Sequence, residues 1–291
     1  MKEITLKAPA KINFSIDVAA RLENGYHSVE MIMQAVSLYD TVTVEKCPKG
    51  ISLFCDQPAV PNNSDNIAWK AAEVFFEGFA HKGGAKICLY KNIPVSAGLA
   101  GGSTNAAAVL KALNQLYDYP FSKKKLWELS SKLGVDVAFC LEGGTALATG
   151  IGNELTPLPD FAGVWVVLVK PFFSVSTPWV YKNLKLDSMG ERPDTEALIN
   201  CIKARNTKAL AQGMRNVLES VTIKAFPDIK EIMDRLMGLG ALGARMSGSG
   251  PTAFGIFENR SKAIRASEHL KTQYENVFAV KTIERGEKKD G

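Results

Sequence analysis

Pro94-Val-Ser-Ala-Gly-Leu-Ala-Gly-Gly-Ser-Thr-Asn105 runs into a stretch whose apolar residues are Ala106, Val109, Leu110, Leu113 and Leu116. That spacing is the i, i+3, i+4 rhythm of one helix face. A glycine-rich loop therefore opens a long helix, and at such a junction free backbone N–H groups and the positive end of the helix dipole attract anions. Gly98, Gly101 and Gly102 allow phosphate oxygens to approach the backbone closely, and Ser103 and Thr104 add hydroxyls in the first turn. A tight turn with Ser103 as a plain N-cap is an equally good reading of this segment alone.

Working outward, Ala85 to Tyr90 reads as a strand, and Asn62-Asn63-Ser64-Asp65 as a turn capping a helix from about Asn66 to Phe79. Lys11 to Val18 alternates, with Ile12, Phe14, Ile16 and Val18 on one face and Lys11, Asn13, Ser15 and Asp17 on the other. That is a period-two strand with a polar face. Asn24-Gly25 breaks the chain, and Thr41 to Glu45 reads as strand again. Downstream, Ser122 to Leu133 has helical phase with Gly134 as its stop. Gly143-Gly144 and Gly150 to Gly152 mark turns, and Pro157 and Pro159 interrupt regular structure. A domain boundary is expected there, giving domains 1–158 and 159–291. The second half reads as a buried strand Val164–Val169, helical patterns near Asp194–Gly213 and Pro227–Met237, and strands Thr252–Phe257 and Val277–Ile283 flanking a helix from about Ser261 to Tyr274. Helix and strand alternate irregularly, which favours α+β over a doubly wound sheet.

Composition narrows the function. With 291 residues, 46% hydrophobic and 22% charged, the chain has the make-up of a soluble globular protein of one large or two medium domains. No apolar run approaches the roughly 20 residues of a membrane span, and the N-terminus lacks a signal-like apolar segment, so a cytoplasmic protein without membrane attachment is expected. The net charge of +5 is mild. Its compact basic clusters, Lys123-Lys124-Lys125 and Lys288-Lys289, lack interleaved aromatics and read as a solvated helix start and a frayed tail, not a nucleic-acid surface. Cys47, Cys55, Cys88, Cys140 and Cys201 form no C-x-x-C, and the histidines stand at 27, 81 and 269. Buried reduced thiols are expected, with no disulfide framework and no protein-ligated metal. Two glycine motifs mislead: Gly238 to Gly243 matches G-x-G-x-x-G but follows a helix, and Gly248 to Ala253 leads into a strand. Neither supports a dinucleotide site, and no P-loop signature occurs.

Three segments together, Lys7-Ala-Pro-Ala-Lys-Ile-Asn-Phe-Ser15, the Pro94 to Ala107 loop and helix, and Met246-Ser-Gly-Ser-Gly-Pro-Thr252, resemble the three motifs of the GHMP kinase superfamily in composition and spacing. The resemblance covers essentially the whole chain. It implies an α+β fold of two domains, the N-terminal one like ribosomal protein S5 domain 2 and the C-terminal one ferredoxin-like, and an ATP-dependent small-molecule kinase. Ala10 to Asn13, Asn24-Gly25-Tyr26-His27, Leu133 to Phe139 and Asn216-Val-Leu-Glu219 are similar to the member acting on a cytidylated methylerythritol in the non-mevalonate isoprenoid route.

The resemblance also implies roles. Asp136 matches the catalytic aspartate and Lys11 its partner lysine, whose positive charge favours the carboxylate form. Pro94, Val95, Ser96, Ala97, Gly98, Leu99, Ala100, Gly101, Gly102, Ser103, Thr104 and Asn105 would wrap the phosphates of ATP, delivered with Mg²⁺, while Asn66 and Lys91 would lie close to the adenosine. Asn13 matches a residue near the acceptor hydroxyl, and Tyr26, His27 and Tyr181 match positions that hold a cytosine. A monomer or homodimer is implied. The loop departs from the family's usual pattern at Ala100, where a glycine is common, and at Thr104, where a serine is. A kinase of another alcohol (homoserine or mevalonate) and a non-catalytic metabolite-binding relative are the alternatives; the second would be expected to have lost Lys11 or Asp136.

Overall fold

The computed structural model describes residues 2–23, 25–79 and 83–286. Asn24, His81 and the Lys288-Lys289 cluster lie outside them. The chain divides into two compact units that interleave along the sequence. The first comprises Met1–Ala10, Leu38–Val95 and Ala100–Glu142, and the second Lys11–Ser37, Ser96–Leu99 and Gly143–Gly291. Two long strands, β1 (Glu3–Arg21) and β2 (His27–Cys47), contribute residues to both.

In the first unit, β3 (Gly50–Cys55) pairs in parallel with a later strand, β4, which follows helix α1 (Ile67–Gly78) and spans Gly84–Tyr90. β4 in turn runs antiparallel to β2, from Thr41 opposite Tyr90 to Cys47 opposite Gly84. The cap falls one residue past the 62–65 turn expected to supply it: the Asn66 side chain accepts from the Ala68 N–H at 2.9 Å and opens α1. Helix α2 (Gly101–Leu116) starts at the glycine loop and is buried along nearly its whole length, its alanines letting α1 approach closely. Ser122 caps α3 (Lys123–Ser131), and α4 (Val135–Glu142) follows Gly134. Phe75, Phe79, Tyr117 and Phe121 form an aromatic cluster, with Phe75 and Phe121 at 5.0 Å and Phe79 and Tyr117 at 5.2 Å between ring centres.

In the second unit, β5 (Thr145–Thr149) pairs antiparallel with β2 at Met31–Gln34 and with β6 (Glu154–Pro157). The sequence did not announce this hairpin, because its strands are short and Pro157 closes the second. Strand β7 (Trp165–Lys170) is buried as expected. It leads to a short helix, α5 (Thr177–Asn183), that the sequence reading passed over. The helical pattern near 194–213 is two helices, α6 (Thr195–Lys203) and α7 (Thr207–Gly213). Arg205 adopts φ 52° between them, and Asn206 caps the second by accepting from the Ala209 N–H. Strand β8 (Arg215–Asn216) pairs in parallel with β1 at Ser15 and Ile16 and precedes α8 (Glu219–Ala225). The remainder is α9 (Asp228–Gly238), β9 (Gly243–Met246), β10 (Ala253–Phe257), α10 (Arg260–Lys271) and β11 (Asn276–Lys281). Strands β11, β7, β10 and β9 lie in that order as one antiparallel sheet. Gly255 of β10 lets α9 lie close, since a Cβ there would stand 3.3 Å from the Cβ of Leu236. Mixed sheets and helices of this kind are the α+β class anticipated from the sequence.

The polar face of β1 is not at the surface: Lys11 is 5% exposed, Asn13 1% and Ser15 0%. Period-two alternation reports which residues share a face, but not whether that face is covered.

Candidate active site

Strand β1 brings Lys11 and Asn13 to one face, and in the second unit the Ser96–Leu99 part of the glycine loop and the Met246–Thr252 segment close on them. The Lys11 ammonium donates to Asn13 Oδ1 at 2.8 Å, and the backbone N–H of Gly248 donates to the same oxygen at 3.1 Å. Both donors are obligate, so they fix which end of the amide is oxygen; Nδ2 then faces Met31 Sδ at 3.4 Å. The Lys11 N–H donates to the Leu99 carbonyl at 3.1 Å, Thr252 N–H to Ala97 carbonyl at 3.3 Å, and Ser247 Oγ to Gly98 carbonyl at 3.0 Å. A Cβ on Gly98, which has φ 74°, would sit 2.4 Å from the Ser247 carbonyl oxygen and 2.9 Å from that of Gly250. Only glycine fits there, because two stretches of backbone touch.

The other part of the loop belongs to the first unit. Ala100 precedes α2 with φ 58° and ψ 31°, the left-handed region, and supplies no side-chain cap. The first N–H groups of α2 are therefore left without a capping side chain from Ala100, the arrangement an anion can complete. Gly102 is exposed and Ser103 half-buried, whereas Thr104 and Asn105 are buried. Ser96 also adopts a left-handed conformation, φ 52°. Each such non-glycine residue costs about 1–2 kcal/mol, a strain that accumulates at functional loops.

Lys91 and Asn105 meet at a residue the sequence reading did not single out. Asp40, fully buried, is ion-paired to the Lys91 ammonium and accepts from Asn105 Nδ2 at 2.8 Å. Its other oxygen accepts the N–H groups of Asn92 and Ile93, each at 2.8 Å, and Lys91 also donates to Asn105 Oδ1 at 2.9 Å. An acid inside an apolar strand was the available signal, and starting the strand at Thr41 hid it. The Asn66 side chain caps α1 and donates to the Pro61 carbonyl at 2.8 Å. Asp136 sits half-buried in the first turn of α4, where the helix dipole favours a negative charge.

His27 and Tyr181, far apart in sequence, have ring centres 5.2 Å apart in the second unit, and Tyr26 is 58% exposed. Burial, and secondarily the charge of Arg21, lowers the His27 pKa, so the ring is neutral near pH 7. The Asn216-Val-Leu-Glu219 segment also acquires a place. Asn216 Nδ2 donates to the carbonyls of Met246 and Gly248 at 2.9 and 2.8 Å, and Glu219 accepts the Met246 N–H at 2.9 Å. Burial pushes the Glu219 carboxyl up, opposed by that hydrogen bond and by Arg245. Cys55 and Cys140 are buried and Cys47, Cys88 and Cys201 half-buried. No helix among the described residues is long and apolar enough to cross a membrane.

Residues 66–144 match the GHMP kinases N terminal domain and residues 197–276 the GHMP kinases C terminal domain. With the relatives that follow, these matches establish that the chain belongs to the GHMP kinases, small-molecule kinases that use ATP. It is 50% identical over 283 residues to the 4-diphosphocytidyl-2-C-methyl-D-erythritol kinase of Acetivibrio thermocellus, covering 97% of this chain and 100% of that one. It is 45% identical over 277 residues to the kinase of the same name from Clostridium botulinum, covering 95% and 99%. A crystal structure of 4-(cytidine 5'-diphospho)-2C-methyl-D-erythritol kinase superposes with TM-score 0.84 at 35% identity, over 96% of this chain and 99% of that one. Homoserine kinase from Cytophaga hutchinsonii shares the fold, with TM-score 0.77 at 20% identity over 98% and 96%.

Proposed function

We propose that this kinase transfers the γ-phosphoryl group of ATP to the 2-hydroxyl of 4-diphosphocytidyl-2-C-methyl-D-erythritol, giving ADP and the 2-phosphate, in the cytoplasm and in non-mevalonate isoprenoid precursor synthesis. The full-length similarity to kinases of that name supports the substrate. The observation that carries the site is the gathering of the Lys7–Ser15 segment, the Ser96–Leu99 half of the loop and the Met246–Thr252 segment around Lys11 and Asn13.

Phosphoryl transfer asks for positioning and charge neutralisation more than for covalent catalysis. In this reading the N–H groups at the start of α2 and the loop from Pro94 to Asn105 receive the phosphates, with Asn66 and Lys91 on the adenosine side. Asn13 orients the acceptor alcohol, Asp136 takes the proton from its hydroxyl, and Lys11 steadies the negative charge that develops. The acceptor oxygen bonds to the γ-phosphorus while the bond to the bridging oxygen breaks, and ADP leaves with that electron pair. Among the described residues no three His, Cys, Asp or Glu side chains gather into a cage. In this reading Mg²⁺ would arrive with the nucleotide. It supplies charge neutralisation at the phosphates. Tyr26, His27 and Tyr181 hold the cytosine, remote from the reacting hydroxyl.

Replacing Asp136 with Asn keeps shape and removes the proton acceptor, so kcat falls by about 10²–10⁴-fold with both KM values near wild type. ADP release measured against the cytidylated erythritol, homoserine and mevalonate tests the substrate in the same assay. Turnover of either simple alcohol in preference to the cytidylated one would overturn the substrate assignment, and an active Asp136→Asn enzyme would move the base elsewhere.

A further inference from the structure

The second unit contains a bracing device that the proposed chemistry leaves unexplained. Strand β8 hangs on β1 with Asn216 opposite Ile16, and the Val217 N–H donates to the Ile16 carbonyl at 3.0 Å. The brace is thus anchored to the strand that carries Lys11 and Asn13. From there Asn216, 5% exposed, reaches the loop between β9 and β10 with both hydrogens of its amide, one on the Met246 carbonyl and one on the Gly248 carbonyl. Its oxygen accepts the Leu218 N–H at 3.0 Å, so the amide cannot turn over. Glu219 takes the Met246 N–H, which leaves Met246 held at both its N–H and its carbonyl. Thr222 Oγ1 donates to the Ser249 carbonyl at 3.3 Å from the same helix. The result is a Gly248 at φ 60° whose N–H points at Asn13 Oδ1, the oxygen that also receives Lys11.

We infer that Asn216 and Glu219 are positioning residues for the transfer step: they fix the loop so that the Gly248 N–H clamps the Asn13 amide, and the amide aims the Lys11 ammonium. The inference rests on the reading of Lys11 and Asn13 as parts of the transfer site. The physical demand is specific. Asn216→Asp has the same size, but it turns a carboxylate oxygen towards two carbonyl oxygens where two N–H donors stood. The loop must withdraw, and the Gly248 N–H goes with it. Neither residue touches ATP or the alcohol in this scheme, so the loss falls on turnover and not on binding.

The test is a double-mutant cycle on the whole enzyme, using ATP and the cytidylated erythritol, with thermal melting to set the folded fraction. Asn216→Asp is expected to lower kcat by about 10–100-fold with each KM within about threefold of wild type. Asn13→Ala lowers kcat at least as far, and adding Asn216→Asp to it costs no more than about a further threefold, because the relay is already cut. Glu219→Ala lowers kcat less, by about 3–10-fold, and Glu219→Gln restores it, since an amide oxygen still accepts the Met246 N–H. If Asn216→Asp does not fold, the Glu219 pair combined with Asn13→Ala runs the same cycle. Losses that multiply in the double variant, or a lowered melting temperature with unchanged kcat, would overturn the inference. Wild-type turnover in both Asn13→Ala and Lys11→Met would instead remove the reading of the transfer site on which it rests.

Discussion

Lys91 in the first unit and Lys11 in the second are alike on paper. Each has its side chain withdrawn from water and donates to an asparagine oxygen, at 2.9 and 2.8 Å. The asparagines they bind are held in different ways. Lys91 is ion-paired to Asp40, whose two oxygens are saturated by Lys91, Asn105 and two backbone N–H groups. That cluster ties β2, the end of β4 and α2 together. The contact between Lys11 and Asn13 involves no opposite charge, and its acceptor is shared with the backbone of a glycine loop. That hydrogen bond orients the ammonium. A buried lysine is therefore not in itself a mark of catalysis; what its hydrogen bonds join it to, a carboxylate-centred cluster at Lys91 and a glycine loop at Lys11, tells the two apart.

The comparison breaks most visibly at Lys91. Lys91→Met strands the Asp40 carboxylate in the interior, and removing one partner of a buried pair costs about 3–5 kcal/mol of stability. Denaturant titration reads this directly, and a loss below about 1 kcal/mol would mean the pair is not a fastening. Lys11→Met should show the reverse profile. Turnover falls by about 10²–10³-fold, the range for removing a preorganised charge from a reacting centre, with a much smaller change in stability. Equal stability losses at the two lysines would dissolve the distinction.

A third contrast concerns the rings near the surface of the second unit. Tyr26→Ala and Tyr181→Ala should each weaken binding of the cytidylated alcohol by about 1–3 kcal/mol while the KM for ATP hardly moves. His27 adds a pH signature. Its folded pKa is lowered, so the fold resists its protonation: its contribution is complete above the ordinary value of about 6.5 and is lost as pH falls from there towards the lowered pKa. A KM for the alcohol that rises below that pH in wild type, and stays flat in His27→Ala, is the expected result. The smallest effect is at Ala100. Replacing this left-handed residue with glycine relieves strain and should stabilise the folded protein by about 1 kcal/mol, read from the denaturation midpoint.

Much of the site was legible because its parts have local periods. The glycine loop announces itself by running into the 3.6-residue rhythm of α2, and β1 by strict alternation that puts Lys11 and Asn13 on one face. The misleading glycine pattern at 238–243 is set aside by the same means, since it begins at the end of α9. Short elements escaped: α5 and α8 span seven residues each, too few for a helical period to stand out. The break between α6 and α7 escaped as well, for it depends on a capping asparagine inside an otherwise continuous pattern.

The sequence by itself determined the chemistry on offer: a phosphate-binding loop at a helix start, a lysine and an asparagine two residues apart on a strand, and a resemblance spanning the chain. Those are properties of neighbouring residues, fixed by backbone sterics and side-chain period. Only the tertiary structure decided what each group does with its charge. The hydrogen bond from Gly248 to Asn13 joins residues 235 positions apart, and that within the Asp40–Asn105 pair spans 65. No local pattern encodes such a meeting, because it exists only once packing has removed water from both partners and obliged each buried donor to find an acceptor.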